Sequence, residues 1–276
     1  MNIQDTQNIQ GIYSVLHVVF SGLLGACLGS FLNVVAHRSV INKPWWGSER
    51  SVCESCGHTL TFFELIPVIS WMVQRGRCAE CGLHISARYI AVELIGAFVG
   101  CLLAWRWGLT FGYVFSMVCA FGFFLSALTD YESQDVFDVF AFFMGAVGIT
   151  LRLFGGRDAV IDGLIGVAVG FGVFALIIIV SRGGMGWGDA CLMGGAGALF
   201  GWKLTLLAFY LGCFAGAVGV FYLLWRGRVK WGRGDAMPFV PYLAAGALLA
   251  MTFGSQMLYF TGIRLSGYPI YPGWPF

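Results

Sequence analysis

Eight continuously apolar stretches, at residues 11–36, 89–105, 110–129, 137–154, 160–180, 189–200, 203–225 and 238–260, occupy most of the chain. A helix needs about 20 such residues to cross roughly 30 Å of hydrocarbon, and most of these runs reach or approach that length. They do not alternate as barrel strands do, and small residues are spread through them as helix–helix contacts in lipid require. The expected fold is an all-α polytopic membrane protein of about eight transmembrane helices. The run at 189–200 is short and rich in glycine, so it is the span most easily lost.

Composition excludes the other broad classes. The chain is 58% hydrophobic and 11% charged, whereas a soluble domain carries about 25% charge. Sixteen Lys and Arg against fourteen Asp and Glu leave a net charge of +2, too small and too dispersed for a nucleic-acid binder. The expected partner is the lipid bilayer. Residues 1–10 contain no Lys or Arg, and the apolar run that follows is too long for a signal-peptide core, so the first segment is expected to remain as a span.

Basic residues beside spans tend to stay cytoplasmic. With the N-terminus outside, eleven of the sixteen, among them Arg38, Arg75, Arg77, Arg88, Arg182 and Arg226, fall on the inner side, and Arg106, Arg152, Arg157, Lys203 and Arg264 on the outer. That asymmetry favours an N-out, C-out chain. It also places in the cytosol the one polar stretch large enough to be a small domain, residues 37–88. The division expected is therefore an N-terminal span at 1–36, a cytoplasmic cysteine domain at 37–88 and a membrane domain at 89–276.

Nine cysteines are of two kinds. Cys27, Cys101, Cys119, Cys191 and Cys213 stand singly in or beside apolar runs, where Cys behaves as a small hydrophobe. The other four form Cys53-Glu-Ser-Cys56-Gly and Cys78-Ala-Glu-Cys81-Gly, 21 residues apart. Two such turns supply four thiolates to one tetrahedral zinc and leave no open position, which makes the expected role structural. A disulfide pair is the competing reading, disfavoured in a reducing cytosol. His58 and His84 follow the two turns as possible rival ligands.

Acids within or beside spans are costly and point to function. Glu93, near the start of the second run, suits helix packing at least as well as chemistry. Asp158 and Asp162 lie beside Arg157 in an outer loop and read as solvated helix-start residues. Two sites remain. Asp130 ends the third run, followed by Asp135 and Asp138; Asp189 opens the sixth run after Gly184-Met-Gly186-Trp-Gly188. An inward-running helix that ends at Asp130 and an outward-running one that begins at Asp189 put both carboxylates at one membrane face. Two carboxylates sharing a site divide one proton between them, so one activates water while the other polarises a scissile carbonyl. Gly186 and Gly188 remove side chains beside Asp189 and let an extended peptide come close. Singly, each Asp also reads as a helix cap or solvated charge. A proton-coupled transporter would use the same pair, but it predicts deeper acids and a helix broken at midplane, of which the sequence offers little. A zinc scaffold without chemistry leaves Asp189 in its glycine-rich setting unexplained.

In order along the chain come Gly29-Ser-Phe-Leu-Asn-Val-Val35, the two cysteine turns, Glu64-Leu-Ile-Pro-Val-Ile-Ser-Trp71, Ile85-Ser-Ala-Arg-Tyr89, Val92-Glu-Leu94, Thr129-Asp130, Gly184-Met-Gly-Trp-Gly-Asp189 and Met237-Pro-Phe-Val-Pro-Tyr242. This ordered set resembles the type IV prepilin peptidases, intramembrane aspartic proteases of the Gly-x-Gly-Asp kind in bacterial inner membranes. The resemblance implies that Asp130 and Asp189 are the catalytic pair. It implies further that the enzyme removes the basic leader of type IV prepilins or type II secretion pseudopilins at the cytoplasmic face, and N-methylates the new terminus with S-adenosylmethionine. No glycine-rich loop of the soluble methyltransferase kind is present, so methyl transfer rests on the resemblance alone. Glu64 and Arg75 lie in the plausible cosubstrate region. Three departures stand out: Val136-Phe137-Asp138 where Leu-Pro-Asp or Ile-Pro-Asn is common, Cys191 where Lys is frequent, and Val240 where Gly is common.

Overall fold

The computed structural model describes residues 3–44, 50–134, 138–154, 156–182, 184–227 and 238–260, the side chains of 3–10 and of Phe111 excepted. Asp135, Val136, Phe137 and Met237 lie outside the described residues. The elements are α1 (Ile3–Val40), a 3-10 turn at Phe63–Leu65, α2 (Ile69–Val73), α3 (Ala87–Trp107), α4 (Phe111–Ser133), α5 (Asp138–Leu153), α6 (Arg157–Val180), α7 (Trp187–Trp225) and α8 (Val240–Phe260). Among the described residues, strand pairing is limited to two isolated bridges, Val52 with Thr59 and Arg77 with His84. Six helices (α1, α3, α4, α6, α7 and α8) are long and apolar enough to cross a membrane; α5 has 16 residues. They form two compact units, Met1–Leu109 and Thr110–Phe276.

In the first unit α1 packs on α3 through glycines. A Cβ on Gly25 would strike the Gly96 carbonyl, one on Gly96 the Gly25 carbonyl, and one on Gly100 the Ser21 carbonyl. Lipid supplies no hydrophobic drive between helices, so close backbone approach carries the association. Polar contacts continue it. Glu93, 8% exposed, accepts from Ser30 Oγ at 2.7 Å and from the Val68 backbone N–H at 2.7 Å, and Arg88 Nη2 donates to Asn33 Oδ1 at 3.1 Å. Glu93 therefore fastens the segment around Val68 to the α1–α3 pair.

In the second unit α7 is two helices in sequence. Gly201 has φ 72° and ψ 169°, and α6 shows that the chain doubles back there. A Cβ on Gly166 would meet both Gly197 and Gly201, and one on Gly170 both Met193 and Thr205. From Gly166 to Gly170 along α6 the facing residues fall from Gly197 to Met193 in the first limb and rise from Gly201 to Thr205 in the second, so limbs 187–200 and 202–225 run antiparallel. These are the separate runs expected at 189–200 and 203–225. The first limb spans only about 20 Å at 1.5 Å per residue. From Asp189 to Gly201 all but Cys191 are buried, enclosed by α5 and α6 rather than by lipid. Its glycines and alanines permit that: a Cβ on Gly195 would strike the Ala141 carbonyl, and one on Gly197 the Gly166 carbonyl.

A reversal leaves helix-end carbonyls without partners. Arg152, at the end of α5 and fully buried, supplies them. Its Nε donates to Ala198 O at 2.7 Å and its Nη2 to Leu199 O at 3.1 Å, while Nη1 donates to Ala159 O at 2.8 Å and to Asp162 Oδ2 at 2.9 Å. Asp162 is thus the counterion of a buried arginine, a correction to its reading as a solvated helix-start residue. The second limb of α7 packs on α8, where Gly246 faces Ala208 and Gly212, and Tyr242 covers Gly219.

Candidate active site and metal centre

Asp130 lies in the last turn of α4 and is 5% exposed; Asp189 lies in the first turn of α7 and is 6% exposed. They are near enough for their charges to interact. The backbone N–H of Val240, the first residue of α8, donates to Asp130 Oδ2 at 2.9 Å. Val240 acts here through its main chain, so the valine in place of the family's common glycine leaves this bond intact. Sequence reasoning did not find this partner; its one signal was the ordered match at residues 237–242.

Gly186 is the N-cap of α7, exposed, and an added Cβ there would meet nothing within 4 Å. Among the described residues no contact demands glycine at this position, which leaves an exposed, side-chain-free surface three residues before Asp189. Gly188 follows in the first helical turn, half-buried. Asp138, the first residue of α5, is exposed and lies close to the thiol of Cys191, two residues past Asp189. Cys191 thereby brings the start of α5 against the start of α7, where a lysine is frequent.

In the first unit the cysteine turns repeat each other. Gly57 N donates to Cys53 O and Gly82 N to Cys78 O, while Cys53 N donates to His58 O and Cys78 N to Leu83 O. Gly57 and Gly82 adopt φ of 71° and 70°, a conformation that favours glycine. The four Sγ atoms of Cys53, Cys56, Cys78 and Cys81 all lie within 4.8 Å of one another, and Cys53 Sγ is 3.8 Å from Cys81 Sγ. A tetrahedron of thiolates 2.3 Å from one ion has edges of about 3.8 Å. The cluster fits a metal ion, and none of the four thiols is in a disulfide.

His58 turns away from the cluster to Glu64, with Nε2 3.1 Å from Oε2. Glu64 Oε2 also accepts from Thr61 N at 2.8 Å and Thr61 Oγ1 at 2.9 Å. The Thr61 amide, then His58 and the Thr61 hydroxyl, hold the Glu64 carboxyl down to about 2. Glu64 is therefore ionised throughout the physiological range, and it steadies the loop that follows the first turn.

Comparison with known proteins matches residues 23–107 to the bacterial peptidase A24 N-terminal domain and residues 117–222 to the type IV leader peptidase family. A prepilin leader peptidase/N-methyltransferase of Pseudomonas putida is 31% identical over 278 residues, covering 91% of this chain and 95% of the relative. The chain belongs to the type IV leader peptidase family. Proteins of the same description are similar to it at 31% identity in Bacillus subtilis, over 89% of this chain and 97% of the relative, and at 36% in Myxococcus xanthus, over 80% and 68%. No solved structure matches the chain. Both compact units carry a family match, so the cysteine turns and the aspartates each lie in a segment characteristic of leader peptidases.

Proposed function

We propose that the protein cleaves the leader of type IV prepilins or pseudopilins with Asp130 and Asp189 as its catalytic pair, at the cytoplasmic face of a bacterial inner membrane. The observation that carries this reading is the pair of buried, mutually interacting carboxylates at helix ends, in a chain of the leader peptidase family. One carboxylate, ionised, takes a proton from the attacking water; the other, protonated, donates to the scissile carbonyl oxygen as the tetrahedral intermediate forms. The Val240 amide orients Asp130, and the open side at Gly186 admits the extended stretch around the cut. Cytoplasmic placement is supported by the distribution of Lys and Arg between spans.

The new N-terminus is methylated with S-adenosylmethionine, a reading that rests on the relatives' names. The functional division is a first span at 1–36, a cysteine domain at 37–88 and a peptidase domain at 89–276. A prepilin incubated with the enzyme and labelled S-adenosylmethionine should lose its leader and then gain label at its new terminus. An uncut prepilin after incubation with folded enzyme would overturn the reading.

The metal is zinc, one ion per chain, held by Cys53, Cys56, Cys78 and Cys81 in a closed and therefore structural site. Stripping it with a strong chelator should unfold the turns, because ligand binding and folding are one event in such small domains. Hydrogen exchange should rise across residues 51–85 and stay unchanged in α4 to α8. Unchanged exchange at 51–85 after complete metal loss would contradict a structural role.

A further inference from the structure

We infer that the segment from Phe62 to Val73 is a membrane-surface element, inserted at the boundary between headgroups and acyl chains of an anionic bilayer. Helix α3 spans Ala87–Trp107, about 31 Å at 1.5 Å per residue, which matches the hydrocarbon thickness. Arg88 near its start and Arg106 near its end mark the two interfaces. Glu93 lies six residues inside the start, about 9 Å along the axis, and helical side chains lean back toward the N-terminus. The Val68 amide that Glu93 holds at 2.7 Å is therefore fixed at the edge of the hydrocarbon, beside lipid-facing Tyr89 and Leu94 of α3.

The surface on either side of Val68 suits that depth. Phe62, Phe63 and Val73 are 78%, 76% and 77% exposed, and Leu65, Ile69 and Met72 are exposed as well. Isolated exposed apolar residues are ordinary; six within twelve positions form a patch that marks an interaction surface. The one charge in this segment, Glu64, is turned inward to Thr61 and His58. Backbone amides are satisfied locally, with Ser70 N on Ile66 O, Met72 N on Val68 O and Gln74 N on Ser70 O, so entry into the boundary orphans none of these groups. Exposed Arg75 and Arg77 follow at once, placed for anionic headgroups. Val68 itself has φ 64°, a strained conformation for a β-branched residue, maintained where its surroundings impose it. Glu93 provides that constraint and sets the depth of the patch.

This inference does not depend on the chemistry of the aspartates. It is tested on the full chain in nanodiscs of phosphatidylethanolamine and phosphatidylglycerol, with p-benzoylphenylalanine replacing Phe63, Met72 or, as a control on the second cysteine turn, Glu80. After irradiation, mass spectrometry should find lipid adducts at positions 63 and 72 at least about five-fold above position 80, as expected of side chains seated in the acyl boundary. Adducts at 63 and 72 to peptides from residues 110–276, to a second copy, or at the level of the control would overturn it.

Discussion

Asp189→Asn and Asp130→Asn should each lower the rate of leader cleavage by about 10³-fold or more, the loss expected when one member of a catalytic unit is removed. Asn has nearly the volume of Asp, so packing at these two buried positions is preserved while the titratable carboxyl group is lost. Prepilin binding should change little, because neither substitution touches the open approach at Gly186; the loss should fall on kcat rather than KM. Asp138→Asn is the contrast. Asp138 is exposed and lies beside the Cys191 thiol, and its variant should cleave within a few-fold of the parent. Single-turnover cleavage in detergent separates these cases. Retained cleavage in either dyad variant would return that acid to a capping role.

Arg152→Ala is the second large effect, and it falls on stability. The substitution strips partners from the carbonyls of Ala159, Ala198 and Leu199 and leaves Asp162 without its counterion. Breaking one side of a buried ion pair costs about 3–5 kcal/mol. Asp162→Asn should cost less, because the Asp162 side chain is 23% exposed and its amide oxygen still accepts from the guanidinium. Arg152→Lys should recover only part, since an ammonium lacks the planar fork that reaches several acceptors at once. Thermal unfolding of the detergent-solubilised variants checks the order parent, Asp162→Asn, Arg152→Lys, Arg152→Ala. A parent-like midpoint for Arg152→Ala would show that the reversal at Gly201 holds without it.

Much of this architecture was legible in the sequence. Continuous apolar runs reported the helices, and the short run at 189–200 was rightly separated from 203–225, because the break at Gly201 interrupts a pattern that one helix would have continued. The cysteine cluster was legible because two Cys-x-x-Cys-Gly turns encode their own local geometry. The aspartates were visible because each ends or opens an apolar run, which places it at a helix terminus whatever the packing. What the sequence concealed lies in pairings across long separations. Arg152 was read as one more outer basic residue, and its bonds reach α6 and the turn of α7. Glu93 was recognised as a packing acid, yet its bond to the Val68 amide could not be read from a spacing of 25 residues. Nor does glycine content distinguish a weak span from an enclosed one; the first limb of α7 is glycine-rich because protein surrounds it. The transporter alternative asked for a helix broken at midplane. The break at Gly201 instead lies beside the end of α5 and the start of α6, sealed by Arg152, and membership of the leader peptidase family favours proteolysis.

The central claim is that Asp130 and Asp189 act as one unit. It is tested most directly by a double-substitution cycle: leader cleavage measured for the parent, Asp130→Asn, Asp189→Asn and the double variant, with methylation of a pre-cut substrate followed in the same membranes. A dyad predicts that the double variant is no slower than either single one, since residues that act as a unit are grossly non-additive, and that methylation persists in all four. Losses that multiply in the double variant, or cleavage that survives it, would contradict the dyad.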